Sequence, residues 1–131
     1  MIKIYLSGAI FNKDMKEAKK EFSEAERKIK KDLKALKIDK NYCEIINPFR
    51  FFKVNKKYSY KDYLREDIKV LCDCNILINI KNEDWEKSIG ARLEREIARV
   101  LFIDIFTIEQ FESFTYRYDF KRYMIDFFTK E

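Results

Sequence analysis

The sequence predicts an α/β protein: a Rossmann- or flavodoxin-like three-layer sandwich with a parallel sheet of four or five strands and an aromatic-rich C-terminal helix. Three observations predict it. Short apolar runs rich in β-branched residues recur at 2–6, 42–46, 75–80 and 102–106. Between them lie longer segments with apolar residues every three or four positions. The alternating order β-α-β-α-β-α-β-α calls for right-handed crossovers, which make the strands parallel and cover both faces of the sheet. The 131 residues fit one domain, and 2 Gly and 1 Pro leave no linker at which to divide it. We read residues 1–131 as a single domain, with a core from about 2 to 106 and a helical extension over 107–131.

The first strand, Met1 to Leu6, runs into the turn Ser7-Gly8-Ala9-Ile10. In such folds the carboxyl ends of the strands form the ligand crevice, and Gly8 would let the backbone approach a ligand closely. A plain strand-to-helix turn is the simpler reading of a lone glycine. Asp14 to Leu36 is an amphipathic helix, with Asn12 or Asp14 as N-cap and Ala18, Phe22, Ala25, Ile29, Leu33 and Leu36 facing inward. Tyr42 to Ile46 is the second strand, closed by Asn47-Pro48. The following loop, Phe49 to Tyr58, mixes aromatics and bases, a composition that suits a nucleobase, a flap on the core or a subunit contact.

Ser59 caps a helix from Tyr60 to about Cys72. At 100° per residue its apolar arc holds Tyr63, Leu64, Val70 and Leu71, and Asp67 falls inside that arc. Asn75 to Ile80 is a strand apolar enough to be central. Its exit loop, Lys81 to Lys87, contains the only tryptophan, Trp85. Ser88 then caps a helix that repeats the anomaly. Gly90, Ala91, Leu93, Ile97, Ala98, Val100 and Leu101 form its apolar arc, and Glu94 lies within it. A carboxylate aimed at a core is costly unless something pairs with it or uses it. One such acid reads as a capped or ion-paired core-edge group; two, in consecutive βα units, point to a site. A helix N-terminus with Ser88 is also a natural seat for an anion, although capping alone explains the serine. Phe102 to Phe106 is the last strand, and Phe120, Tyr123, Met124, Phe127 and Phe128 form a helical stripe for the sheet or a second subunit.

Composition narrows the class. The net charge of +5 allows an anionic partner, but the lysines are spread along helix faces, which reads as solvated surface. A nucleic-acid partner is therefore not expected. Cys43, Cys72 and Cys74 form no Cys-x-x-Cys pair and the chain has no His, which argues against a zinc site or a disulfide framework. No metal and no cofactor are expected. Buried thiols suit a reducing cytoplasm. The N-terminus reads as a strand, and no apolar run approaches membrane-spanning length.

Lys3-Ile4-Tyr5-Leu6-Ser7-Gly8-Ala9-Ile10, Arg65-Glu66-Asp67-Ile68 and Ser88-Ile89-Gly90-Ala91-Arg92-Leu93-Glu94, with Ile97-Ala98, resemble the nucleoside 2-deoxyribosyltransferase superfamily. That superfamily includes the deoxynucleoside 5′-monophosphate N-glycosidases. The resemblance runs from Ile2 to Phe106, nearest to a branch of small phage and bacterial proteins with a Trp…Ser-x-Gly-Ala…Glu signature. It implies Glu94 as nucleophile, Asp67 as the assisting acid, and Tyr5 and Gly8 as pocket wall. The matching Ser88 is a phosphate contact in the monophosphate-cleaving members. Ser7, Ala9, Ile10, Gly90 and Trp85 complete the expected substrate site. There are departures: Phe11 stands where those members carry a phosphate-binding arginine, Asn12 replaces a glycine, and the Glu83-Asp84-Trp85 loop is longer and more acidic.

The expected chemistry is cleavage or transfer of the N-glycosidic bond of a (deoxy)nucleoside or nucleotide, by a retaining mechanism with carboxyls about 5–5.5 Å apart. The expected partner is a small nucleoside or nucleotide, in a homodimer whose tail could complete the pocket. The departures keep a non-catalytic nucleotide-sensing module of the same fold as the alternative.

Overall fold

A computed structural model describes residues 1–10, 14–50, 59–117 and 119–130. Four strands, β1 (Ile2–Ser7), β2 (Cys43–Ile46), β3 (Ile76–Asn79) and β4 (Asp104–Thr107), form one all-parallel sheet in the order β2-β1-β3-β4. Among the described residues six α-helices, α1 (Met15–Ala35), α2 (Tyr60–Leu71), α3 (Asp84–Lys87), α4 (Ile89–Val100), α5 (Ile108–Tyr116) and α6 (Asp119–Thr129), cover its faces. The predicted fold class holds, with four strands among the described residues.

Side chains of a strand alternate between faces, and the two cores follow that alternation. Ile2, Ile4 and Leu6 meet Ile76 and Ile78 on one face, under Phe22, Ile29 and Leu33 of α1, Phe111 of α5 and Phe120 of α6. Tyr5 and Leu77 point to the other face, under Leu71 of α2 and Ala98 of α4. Ser7, two residues beyond Tyr5 and paired in register with Asn79, belongs to this second face.

The helix starts follow from their caps. Asp14 accepts from the Lys16 N–H, whereas the alternative cap Asn12 lies outside the described residues. Ser59 and Asp62 form a reciprocal capping box. Ser88 accepts from the Ala91 N–H.

Two expectations change. The exit loop of β3 contains a one-turn helix, α3. The last strand begins at Asp104 because the chain leaves α4 through a left-handed turn: Phe102 has φ 57°, its N–H reaches the Arg99 carbonyl and the Ile103 N–H reaches that of Ala98. The same closing motif, with Lys37 at φ 59°, ends α1.

The tail is two helices. Thr107 and Gln110 box the start of α5, so the chain turns back after β4. Phe120 is fully buried, and Tyr123, Met124 and Phe127 pack against the first core. The aromatic stripe thus covers its own sheet.

Candidate functional site

The strand order changes direction between β1 and β3, each flanked on its other side by β2 or β4. A crevice opens at the carboxyl ends of strands at such a point. Here it is a cavity of about 290 Å³, near the lower end of the size range for small-ligand sites. The β1–α1 turn supplies Gly8 and Ile10, α2 supplies Tyr60, Leu64 and Asp67, and the first turns of α4 supply Ser88, Ile89, Gly90, Ala91 and Glu94. The helical projection placed Asp67 and Glu94 inward on separate helices, and both face this one cavity.

Glu94 is 4 % exposed, and its partners among the described residues are hydroxyls. The Tyr5 phenol donates to Oε2 and Ser7 Oγ donates to Oε1 at 3.0 Å. Burial raises the Glu94 pKa to about 7; the Tyr5 and Ser7 hydrogen bonds act in the opposite sense and limit the rise. Tyr5 itself is held well above the ordinary phenol value, first by burial and then by the Glu94 charge, so it stays a donor. Asp67 is 7 % exposed. Burial first, then the neighbouring charges of Glu94 and Glu66, raise its pKa to about 9. Between pH about 7 and about 9 Glu94 is the carboxylate and Asp67 the acid.

A third inward acid gives the contrast. Glu26 on α1 is as buried as Glu94, but it carries an ion pair to Lys30 at 2.9 Å and another to Arg50. It is the structural, charge-compensated case. Glu94 has polar hydroxyls in place of a cation and opens onto a cavity.

The remaining expected residues divide. Gly8, Ile10, Ser88 and Gly90 line the cavity, and Tyr5 and Ser7 act through Glu94. Ala9 turns its N–H away to Asp84 Oδ2 at 2.9 Å. Trp85 is not among the lining residues; it packs on the second core and carries the Arg95 guanidinium 4.1 Å above its ring. Gly8 is required by close protein packing rather than by an unusual φ. A Cβ there would come within 2.8 Å of Ile80 Cγ1 and 3.1 Å of Asp84 Oδ2. At Gly90 a Cβ would meet the Tyr60 hydroxyl at 3.1 Å. The aromatic and basic loop, from Phe51 to Tyr58, and the departures at Phe11 and Asn12 lie outside the described residues.

Sequence reasoning missed three groups. Tyr60 and Leu64 enter the cavity from the first turns of α2; the apolar spacing of α2 included Leu64 without marking it as a ligand wall. Asp84 is 1 % exposed and sits behind Gly8, a placement that its loop position hid. Asn79 is 1 % exposed at the end of β3, and its amide atoms have no hydrogen-bond partner among the described residues.

The α4 arc also needs correction. Ala91, Glu94 and Ala98 face the sheet, whereas Leu93, Val100 and Leu101 are exposed, together with Ile89 and Phe102. Small residues let the helix close on the sheet along one line, and the bulkier ones flank it.

The fold and the site together define a parallel α/β protein with a small-molecule-sized, acid-lined cavity at the switch point of its sheet. A family model described as a domain of unknown function (DUF4406) matches residues 2–107, and the chain belongs to that family. No curated protein and no solved structure matches it. No helix among the described residues is long and apolar enough to cross a membrane.

Proposed function

We propose that this protein cleaves or transfers the N-glycosidic bond of a (deoxy)nucleoside or nucleotide, as a member of the nucleoside 2-deoxyribosyltransferase-like superfamily. The observation that carries the reading is the pair of buried acids on one cavity, with pKa values of about 7 for Glu94 and about 9 for Asp67. Two carboxyls with separated proton affinities supply a base or nucleophile and an acid at the same pH.

In the first step a Glu94 carboxylate oxygen bonds to C1′ as the C1′–N bond breaks. The bonding pair leaves with the base nitrogen, which takes the Asp67 proton. Tyr5 and Ser7 fix the Glu94 carboxylate for attack. In the second step water attacks C1′, releases Glu94 as carboxylate and returns a proton to Asp67. Another base attacking in place of water gives transfer. Two displacements at C1′ retain its configuration.

Chromatographic detection of free base tests the reading over deoxynucleosides, deoxynucleotides and NAD, with Glu94→Gln as control. Release by the wild type and its loss in the variant are expected. Equal release by both would sink the assignment. The Tyr5 and Ser7 hydrogen bonds also damp the nucleophilicity of Glu94, which favours a non-catalytic nucleotide sensor as the second reading. A sensor gains thermal stability from a nucleotide and releases no base.

The exposed apolar row Ile89, Leu93 and Val100, with Leu101 and Phe102 beyond it, supports a homodimer through α4. Ile89 also lines the cavity, so a second copy seated there would border the site. The free cysteines fit a reducing cytoplasm.

A further inference from the structure

We infer that the open edge of the sheet at β2 takes an extended acidic peptide as an added strand. β2 ends the strand order, and among the described residues no strand lies beyond it. Ile2 pairs in register with Cys43, and its N–H donates to the Tyr42 carbonyl at 2.8 Å. Backbone groups alternate in direction along a strand, so Tyr42 and Glu44 turn theirs toward β1, and Cys43 and Ile45 turn theirs to the open edge. An edge of this kind is a template for another chain. A groove of about 450 Å³ opens beside it, between β2 and the end of α1. Its floor is apolar, made by Leu33, Ile38, Cys43 and Ile45, all on the α1 face of the sheet and away from the acid-lined cavity.

Charge selects the occupant. Lys30, Lys34, Lys37 and Lys40 rim the groove against one acid, Asp39, whose Oδ1 accepts the Asn41 N–H at 2.8 Å within its own turn. Lys30 pairs with Glu26 at 2.9 Å. Lys34, Lys37 and Lys40 are exposed and form no ion pair with a described residue. Lys37 also holds the left-handed backbone at φ 59°, where glycine would fit at no steric cost. Lysines along an edge oppose pairing with a second copy, which would bring the same lysines. A strand carrying carboxylates meets them favourably. Its side chains alternate between faces: one row drops apolar and acidic groups into the groove, and the other passes Glu44, which faces away from it.

Fluorescence anisotropy tests this with a fluorescein-labelled synthetic peptide of repeating Glu-Ser-Leu-Ser, which puts Glu and Leu on one face of a strand. Saturable binding that weakens with added salt is expected. Lys34→Glu with Lys37→Gly should weaken it by about tenfold, the loss of two exposed ion pairs; glycine at the second position suits the left-handed turn and protects the fold. If that variant does not fold by circular dichroism, Lys40→Glu takes its place, with a loss of about threefold. N-methylation of the peptide backbone keeps the charge and removes the strand donors, so binding should be lost. No binding of the parent peptide overturns the inference. Equal binding of the N-methylated peptide, or of a scrambled one with Glu and Leu on both faces, overturns it too, as does unchanged affinity in a folded variant. Saturable binding of decanoate or of a single-stranded oligonucleotide in place of the peptide also overturns it.

Discussion

Tyr5 donates its phenolic hydrogen to Oε2 of Glu94, joining the middle of the first strand to the middle of the fourth helix. Both residues are buried, and the Ser7 hydroxyl holds the second carboxylate oxygen. A hydrogen bond to a charged group contributes roughly 1.5–3 kcal/mol. That is enough to decide the charge state of an acid that burial alone would push well upward.

Tyr5→Phe removes that donor and keeps the ring. Glu94 should then hold its proton more tightly, by roughly one to two pH units from the hydrogen-bond magnitude. The acid limb of kcat should move to higher pH by that amount, and kcat at pH 7 should fall. A limb that stays in place would mean that Tyr5 only fills space.

The pH profile of kcat follows from the two acids. Glu94 must be ionised, so the rate rises as pH passes about 7. Asp67 must carry its proton, so the rate falls as pH passes about 9. A bell centred near pH 8 is expected in base-release assays, its limbs belonging to the pair as a unit. Asp67→Asn should lower kcat by about 10²–10⁴-fold, the usual contribution of a general acid, and should erase the alkaline limb. A leaving base that needs no protonation would escape most of that loss.

Stability should move the other way. The Asp67 pKa is raised on folding, so stability is fully present below its unfolded value and is lost as pH rises through about 9. Asp67→Asn removes this burden. Its melting temperature should exceed that of the wild type at pH 8, and the gap should close as pH falls toward 4. A lower melting temperature at pH 8 would show that Asp67 is a structural acid like Glu26, whose charge is compensated by Lys30 and Arg50.

The apolar side of α4 gives a prediction about assembly. Leu93 is 38 % exposed and Val100 65 % exposed, and both fall on one side of the helix with Ile89. Leu93→Glu with Val100→Glu should shift the protein from dimer to monomer in light scattering, with its circular dichroism unchanged. A wild type that is monomeric at high concentration would rule this interface out.

The paired acids were legible in the sequence because a helix turns 100° per residue whatever surrounds it. Asp67 and Glu94 could be placed inward from spacing alone, and the alternation of strands and helices called for a parallel sheet of four or five strands, without giving their order. The start of α5 was also written locally, in Thr107 and Gln110, but the aromatic density after β4 masked the capping pair. Spacing could not say which part of the α4 arc meets the sheet. That depends on how closely the helix approaches, and Ala91 and Ala98 allow contact along a line that leaves Leu93 and Val100 outside.

What the sequence by itself determined is the local and periodic part: element types, caps, and the inward direction of two acids. What only the tertiary structure decided is which groups meet across long separations. Tyr5 and Ser7 reach Glu94 across more than eighty residues, and Asp84 reaches Ala9 across 75. Those contacts are set by strand order and helix approach, which no periodicity within a single element encodes. The tertiary structure also divides the inward acids by their surroundings. Glu26 meets cations and is structural; Glu94 meets hydroxyls and a cavity, and its proton affinity is set there.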